Sequence, residues 1–504
     1  MDRRAFLRRA AQAGLAAGAV GSLAPRLALA ALPDPRLREL AHSIAGTVVT
    51  PSSPAYAQAR LLQNTRFDGI RPRAIVYCAN AADVVKAVRW ARRHGIHVVA
   101  RAGGHSYGGY STTTGVVLDV GRLNAVTVAA DGQTAVVGAG AQLIDVYARL
   151  FEHGVTIPAG SCATVGVAGL ALGGGIGYSS RKLGLTCDNV RRVRIVTADG
   201  RLLTCDAAHH ADLYWACRGG GGGSFGIVTA FTFDVHPVST VSTYAVEWPW
   251  EQAADAVQAW QAFAPTAPDE LFSVCDLLAT DPAAGARAHV VSSGQFFGSE
   301  ADLRALIEPL TSTGTPRRVT TQTRTLLEAA LFWAGCRNET VAQCHTTPHG
   351  VVARSSFKAR SDFVAQPLPP PAIAALTHAI DMRQATALLG RGSILMDAYG
   401  GAINRVPKAA TAFVHRDQLF SMQYVAELGP AADAARLAAN THWLNDVRTA
   451  LRPWVSGQTY QNYVDPELAS WAAAYYGSNL PRLRKVKRAY DPGNMFRFAQ
   501  SIPL

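Results

Sequence analysis

The sequence predicts an α+β protein of two domains, on three observations. Between Arg71 and Pro237 short β-branched runs alternate with helical stretches and glycine-rich loops. After Pro237 the glycine density falls, and long helix-like stretches mix with further candidate strands. A chain of 504 residues, 49% hydrophobic and 17% charged, is also long enough to bury more than one core. In the first part, Ala74 to Cys78 reads as a strand, Ala81 to His94 as an amphipathic helix, and His97 to Arg101 as a strand entering a glycine loop. Val116 to Val120, Ala135 to Gly138, Val190 to Ala198 and Ile227 to Val235 continue the pattern, defining a domain over residues 37–237. In the second, helices are expected at Ala253 to Phe263 and Ala301 to Leu310, with strands at Val290 to Phe297, Ser393 to Tyr399 and Leu419 to Glu427. This reads as an antiparallel sheet covered on one face by helices, over residues 238–455, with Pro367 to Pro371 as a turn or short linker. The tail, residues 456–504, is dense in Tyr, Asn and Arg and is expected to pack back onto the first domain.

The first thirty residues differ from the rest. Arg3 and Arg4, followed by Phe6 and Leu7, form a twin-arginine pattern ahead of an Ala- and Gly-rich apolar run from Ala10 to Leu23. Small residues at Ala28 and Ala30 suit cleavage, so residues 1–30 read as a removable export signal for the twin-arginine machinery. The run is too short and too poor in large side chains for a stable membrane span. The expected destination is periplasmic or extracellular. The net charge of +12 is spread along the chain without a basic stripe interleaved with aromatics, which argues against nucleic-acid binding. The eight cysteines form no CxxC pair and no Cys/His zinc spacing, so no metal site is expected, and most read as small buried residues.

Three glycine-rich segments carry the chemistry. The first runs through Arg101, Ala102, Gly103, Gly104, His105, Ser106 and Tyr107, directly after a predicted strand. Its glycines permit positive φ and let backbone amides approach an anion, although it is neither GxGxxG nor a P-loop. The second holds Gly160, Cys162, Val165, Gly166, Gly169, Gly173, Gly174, Gly175 and Gly177. Such density is entropically costly unless tight turns or close ligand contact require it. The third runs through Gly226, Ile227 and Val228 from loop into strand and can close the same pocket. Ser106 and Ser161 lie outside GxSxG, and His94, His97, His153, His209, His210 and His345 have no partner pattern.

The RAGGHS loop, the GSC plus GGGIG stretch, the GGGGGSFGIVT run and the tail YQNYVD with NLPRLRKVKRAYDPGNMFRF resemble the berberine bridge enzyme-like branch of the vanillyl-alcohol oxidase flavoproteins. The resemblance implies a PCMH-type FAD-binding domain of two subdomains, a substrate domain and a C-terminal segment of the berberine-bridge type. It implies bicovalent FAD, with His105 on the 8α-methyl (8α-histidyl) and Cys162 on C6 (6-S-cysteinyl), the cradle being completed by the glycine loops and Asn462. In sugar-oxidising relatives the tyrosine of the YxNY motif is the base. That places Tyr463 in the role with Tyr460 nearby, with Tyr399 of the YGG segment as the second candidate and Asp397 on the same strand face as a supporting acceptor. A free tyrosine has a pKa of about 10, so a group that stabilises the phenolate is expected. The family's alkaloid cyclase has glutamate where this strand carries Asp or Tyr, so ring-closing amine chemistry is not expected. Leu170 replaces a histidine common in the family, and Val165 resembles the oxygen-reactive type.

The expected activity is therefore an FAD-dependent oxidase acting on a small molecule, a sugar, alcohol or glycosylated metabolite, with O2 as acceptor and H2O2 as product. A flavin dehydrogenase using another acceptor, a tailoring oxidase of a glycosylated natural product, and a sugar-binding protein with an inactive flavin fold share these motifs.

Overall fold

The computed structural model describes residues 34–281, 285, 287–429 and 433–504. The twin-arginine segment lies outside them. Thr47–Val49, Ala74–Tyr77, Val116–Asp119 and Val98–Arg101 form a four-stranded sheet in that order, the last three parallel. Parallel neighbours need a crossover, and the helix Ala81–Arg93 provides it. The Asn80 side chain caps that helix by accepting from the Asp83 amide at 3.0 Å, and Val84, Ala87, Val88 and Ala91 form its buried stripe. A five-stranded antiparallel sheet follows, in the order Val126–Val128, Thr134–Gly138, Ile227–Asp234, Val190–Val196 and Leu202–Cys205. The two sheets share one apolar core, to which the tail contributes Tyr475, Tyr476, Leu483, Phe496 and Ile502.

The second part is a seven-stranded antiparallel sheet, in the order Arg318–Thr325, Thr240–Pro249, His289–Phe296, Leu271–Ala279, Gly392–Ala398, Phe420–Glu427 and Phe357–Val364. Strand alternation divides it into two unlike faces. One carries Trp248, Leu277, Ile394, Met396, Met422 and Tyr424, buried under the helices Ala253–Phe263, Pro370–Ala385 and Ala434–Leu451. The other carries Asp276, Ser293, Asp397, Ser421 and Gln423, in the register Val274↔Asp397, Asp397↔Ser421 and Leu395↔Gln423. Phe272, Val274, Phe363 and Tyr399 on this polar side pack against Ile176, Leu185 and Cys187 of the second glycine segment.

Two buried guanidinium groups hold the halves together. Arg181 donates to the carbonyls of Leu271 (2.8 Å), Ala267 (2.5 Å), Pro265 (3.3 Å) and Tyr399. Arg416 meets both oxygens of Asp188, at 2.8 and 2.6 Å, and also donates to the Ile403 carbonyl and the Thr411 hydroxyl.

The elements expected from sequence are present, with two corrections. The stretch Ala301 to Leu310 is two helices, Glu300–Leu306 and Glu308–Thr311, because Pro309 has no N–H to continue the first. Pro367 to Pro371 is not a free turn or linker. Pro370 and Pro371 open a 16-residue helix, where the missing N–H is harmless. Sequence reading also passed over the strands Thr240–Pro249, Leu271–Ala279, Arg318–Thr325 and Phe357–Val364. Among the described residues, no helix is long and apolar enough to cross a membrane.

Removing one partner from a buried pair leaves an uncompensated charge, so Asp188→Ala should destabilise the fold by about 3–5 kcal/mol. The double variant Asp188→Leu/Arg416→Met should recover much of that loss. Urea unfolding midpoints for the three proteins check this order.

Candidate functional site

The glycines of the first two segments divide into those required by packing and those left open. A Cβ on Gly103 would stand 2.2 Å from the Gly166 amide nitrogen, and one on Gly166 would stand 2.4 Å from that of Gly103, so the two loops touch backbone to backbone here. A Cβ on Gly177 would lie 1.9 Å from the Ala159 carbonyl, and one on Gly173 would lie 2.0 Å from the Asn462 Oδ1. Gly104, Gly174, Gly175 and Gly226 adopt positive φ. Gly169 faces open space, and the Gly160 carbonyl accepts from the Tyr147 hydroxyl at 2.9 Å. Ile227 and Val228 are buried in the apolar core and leave only backbone to a ligand. The Ser106 hydroxyl accepts from the Tyr110 amide at 3.0 Å and so closes its own loop. Ala102 contacts Gly166, and Val165 is half-buried beside Cys162.

These loops bring the predicted attachment residues to one surface. Cys162 is exposed, whereas the other free cysteines of the described residues, Cys78, Cys187, Cys205, Cys217 and Cys275, are buried. Cys336 and Cys344 form a disulfide. The Nε2 of His105 lies 2.8 Å from the Thr164 Oγ1, across the loop junction. Burial pulls its imidazole down to about 4, against the Thr164 hydrogen bond, so the ring is neutral at physiological pH and keeps a nitrogen lone pair. The Cys162 residue is exposed as a whole, but the surrounding loops shield its sulfur, and that desolvation pushes the thiol up against the Ser161 hydrogen bond. At the head of the loop, buried Arg101 pairs with Asp119 at 2.5 Å but leaves its Nη1 without a partner. A touching glycine cradle, an orphaned buried guanidinium nitrogen and a neutral imidazole near an exposed thiol fit a phosphate-bearing ring cofactor such as FAD.

The tail delivers the tyrosines from the other side. Lys358 and Arg360 of the edge strand hold Glu467, the latter at 2.6 Å, and Gln461 donates to the Gly219 carbonyl at 2.6 Å. The hydroxyl of buried Tyr460 accepts from the Gly175 amide at 2.7 Å and from Asn462 Nδ2 at 2.9 Å, and Asn462 also donates to the Leu170 carbonyl at 3.0 Å. Tyr460 is thus committed to bracing the glycine loop. Tyr463 stacks on Tyr107 with ring centroids 5.5 Å apart and planes 16° apart, and meets Tyr460 edge-on at 4.8 Å. Among the described residues its hydroxyl has no hydrogen-bond partner, while the Tyr107 hydroxyl accepts from Gln423 Nε2 at 2.9 Å. Tyr399 is fully buried, with an unpartnered hydroxyl.

The expectation of a group stabilising the Tyr463 phenolate meets the opposite arrangement. Burial first, then the Asp397 charge and the neighbouring hydroxyls of Tyr107, Tyr460 and Tyr399, push this phenol well above its ordinary value. Asp397 accepts from the Ser421 hydroxyl at 3.2 Å, and burial lifts its carboxyl to about 6. It is therefore a carboxylate at neutral pH and more basic than a free aspartate. Sequence reasoning missed Asp276, on the next strand and the same face, as well as Gln423 and the pair of Tyr178 and Trp333, stacked 3.8 Å apart. No local pattern in Leu271 to Ala279 signals Asp276, because Phe272, Val274 and Leu278 share its face and Ser273 is the polar residue of the other.

Because its Cβ would strike backbone, Gly103→Ala should disrupt the loop junction and sharply lower the soluble yield. Gly169→Ala, in a helix with open space beside it, should leave the apoprotein as stable as before or up to about 1 kcal/mol more stable. Thermal melts of the two apoproteins check the contrast.

With this geometry in place, comparison with known proteins is informative. Residues 72–206 match the family described as FAD binding domain, and residues 459–503 match berberine and berberine like. The chain is 35% identical over 465 residues to the uncharacterised FAD-linked oxidoreductase YgaK of Bacillus subtilis, covering 91% of this chain and 97% of that protein. The structure of BBE-like 1 from Physcomitrella patens superposes with a TM-score of 0.84 at 33% identity, covering 93% of this chain and 99% of the moss chain. A chitooligosaccharide oxidase superposes at 0.81 with 26% identity over 93% of this chain and 99% of its own. The chain belongs to the berberine bridge enzyme-like FAD-linked oxidoreductases.

Proposed function

We propose that the protein is an exported oxidase that removes two electrons and two protons from a sugar or alcohol hydroxyl group, with FAD tethered through His105 and Cys162. The observation that carries this reading is the convergence of three parts: exposed Cys162, neutral His105, and Tyr463 with its free hydroxyl opposite Asp397. Held by His105 and Cys162 and cradled by the glycine loops, FAD would supply the two-electron redox chemistry between the substrate and O2. The chitooligosaccharide oxidase likeness supports a carbohydrate substrate. A half-buried valine at position 165 supports oxygen as the acceptor, through the family likeness noted above. The twin-arginine leader and the Cys336–Cys344 disulfide support export to an oxidising compartment.

The chain's own residues handle the proton. Tyr463 presents its phenol to the substrate hydroxyl and, being protonated, takes that proton only by giving up its own. In this reading the receiver is Asp397, ionised above about pH 6, reached through a bridging water because no hydrogen bond joins the two groups among the described residues. Tyr107 and Tyr460 fix the Tyr463 ring by stacking and edge contact. Tyr178 stacks on Trp333 beside the two carboxyls, and Trp333 Nε1 donates to Gln295 Oε1 at 3.1 Å.

Acid-precipitated wild-type protein should stay yellow. His105→Ala and Cys162→Ala should each retain flavin through the remaining bond, while the double variant should release it. Tyr463→Phe should slow anaerobic bleaching of the flavin by glucose, cellobiose or a simple alcohol by about a hundredfold or more, with flavin content unchanged. A double variant that kept its flavin in acid would overturn the two-point tether. Bleaching by none of these substrates in the wild type would overturn the reaction class.

A further inference from the structure

Asp276 lies on the polar face of the seven-stranded sheet, one strand from Asp397 and diagonal to it, since Val274 stands opposite Asp397 and Asp276 opposite Leu395. Diagonal side chains on one face are within reach of each other. Among the described residues, none donates a hydrogen bond to the Asp276 carboxyl. The groups acting on the pair come from every element around it. They are Asp397 from the neighbouring strand, Ser421 from the next, Tyr399 along the same strand, Tyr178 from the glycine segment, Tyr107 from the first loop, Tyr460 and Tyr463 from the tail, and, through the sheet, Cys275 and Tyr244. These are acids, phenols, one thiol and one hydroxyl, with no Lys, Arg or His. A second unmet group sits on the same face: fully buried Tyr399, two residues beyond Asp397, has a hydroxyl without a partner. A carboxyl and a phenol that the fold leaves unbonded in one pocket mark places for ligand atoms.

We propose that Asp276 is a substrate-binding residue that donates a hydrogen bond to a second oxygen of the substrate, beside the hydroxyl that Tyr463 faces. This deepens the reading above, on which it rests, by selecting polyhydroxylated substrates over simple alcohols. The neighbouring carboxylate and burial decide the proton's place. Burial first, and then the Asp397 charge, push Asp276 up to about 8, while Asp397 sits at about 6. Between those values the pair holds one proton, borne by Asp276, and a neutral carboxyl donates where a carboxylate only accepts. Asp397 meanwhile stays free to receive the proton from Tyr463. Above about pH 8 the donor is lost and a second negative charge enters the pocket, opposing deprotonation of the substrate.

The test uses the flavin-loaded enzyme, chemically reduced so that no turnover occurs. Infrared difference titration should show, beside the band of buried Asp362, which titrates near pH 7, a carboxylic-acid C=O band that persists at pH 7, is lost above about pH 8 and is absent in Asp276→Asn. Glucose and cellobiose should shift that band, and benzyl alcohol should not. In turnover, Asp276→Asn keeps an N–H donor, so its kcat/KM profile should retain the acid limb near pH 6 and lose the alkaline limb. Asp276→Ala should raise KM by about tenfold. A purely structural role would move melting temperatures and leave both limbs in place. No Asp276 band at pH 7, or a band indifferent to both sugars, overturns the inference. If Tyr463→Phe still slows flavin bleaching in that event, the proposed reaction stands without it, whereas an unaffected Tyr463→Phe removes the reaction itself.

Discussion

The geometry of the site depends on one buried guanidinium. Arg181 sits in the short helix Ser180–Leu183 that follows the second glycine segment, is almost wholly buried, and has only carbonyl oxygens as hydrogen-bond partners. Hydrogen bonds to a charged donor are worth about 1.5–3 kcal/mol each, and several together offset the cost of desolvating the cation. Burial still pulls its pKa down, which measures the penalty that remains. Two of its acceptors fix the pocket. Leu271 begins the strand carrying Asp276, and Tyr399 directly follows the strand carrying Asp397. A single side chain from the loop module therefore sets the position of both carboxyl-bearing strands, and Arg416 with Asp188 prevents the two halves from rotating about it.

Given that clamp, the two faces of the seven-stranded sheet explain each other. The helix-covered face is ordinary core, and its burial supplies the stability. The opposite face carries polar groups among its apolar ones because it meets glycine-loop backbone and aromatic rings as well as Ile176 and Leu185, not a covering layer of helices. Its carboxyls have no cationic partner and so shift upward, away from the values they would have in water. In a chain of net charge +12, a pocket holding two acids and five phenols without a base is not a consequence of composition. It is placed by strand register.

The sequence made the first sheet, its helix and the glycine loops legible because each has strong local punctuation: Asn80 as a cap, β-branched runs, and glycines at positive φ. The seven-stranded sheet was only partly legible. Arg318–Thr325 is an exposed polar edge strand, so burial imposes no hydrophobic alternation on it. Phe357–Val364 contains Lys358, Arg360 and Asp362, buried side chains that look like a surface run. The pairing of Lys358 and Arg360 with Glu467 and Asp465 comes from the tail, a hundred residues away, which no local window contains. Asp276 was hidden for the same kind of reason, since its meaning comes from register with Asp397. The glycine segments were read correctly as costly, but much of the cost is met by loops touching each other, as at Gly103 and Gly166.

The spacing of the two tail tyrosines lets a short motif separate a ring that braces the glycine loop from one whose hydroxyl is left free. The Tyr463 amide donates to the Tyr460 carbonyl at 2.9 Å, so the motif is a turn and its two rings leave the chain in different directions. Tyr460 goes inward, where two N–H donors occupy its oxygen, and Asn462 between the rings ties the turn to Leu170 and fills the space that Gly173 leaves. Tyr463 goes outward with its hydroxyl unclaimed. Had the braced tyrosine been the chemical one, every proton transfer would disturb the bonds holding the glycine loop. By turning the second ring into the pocket, the fold leaves the Tyr463 hydroxyl available for the proton transfer proposed above while the loop that presents Cys162 stays fixed.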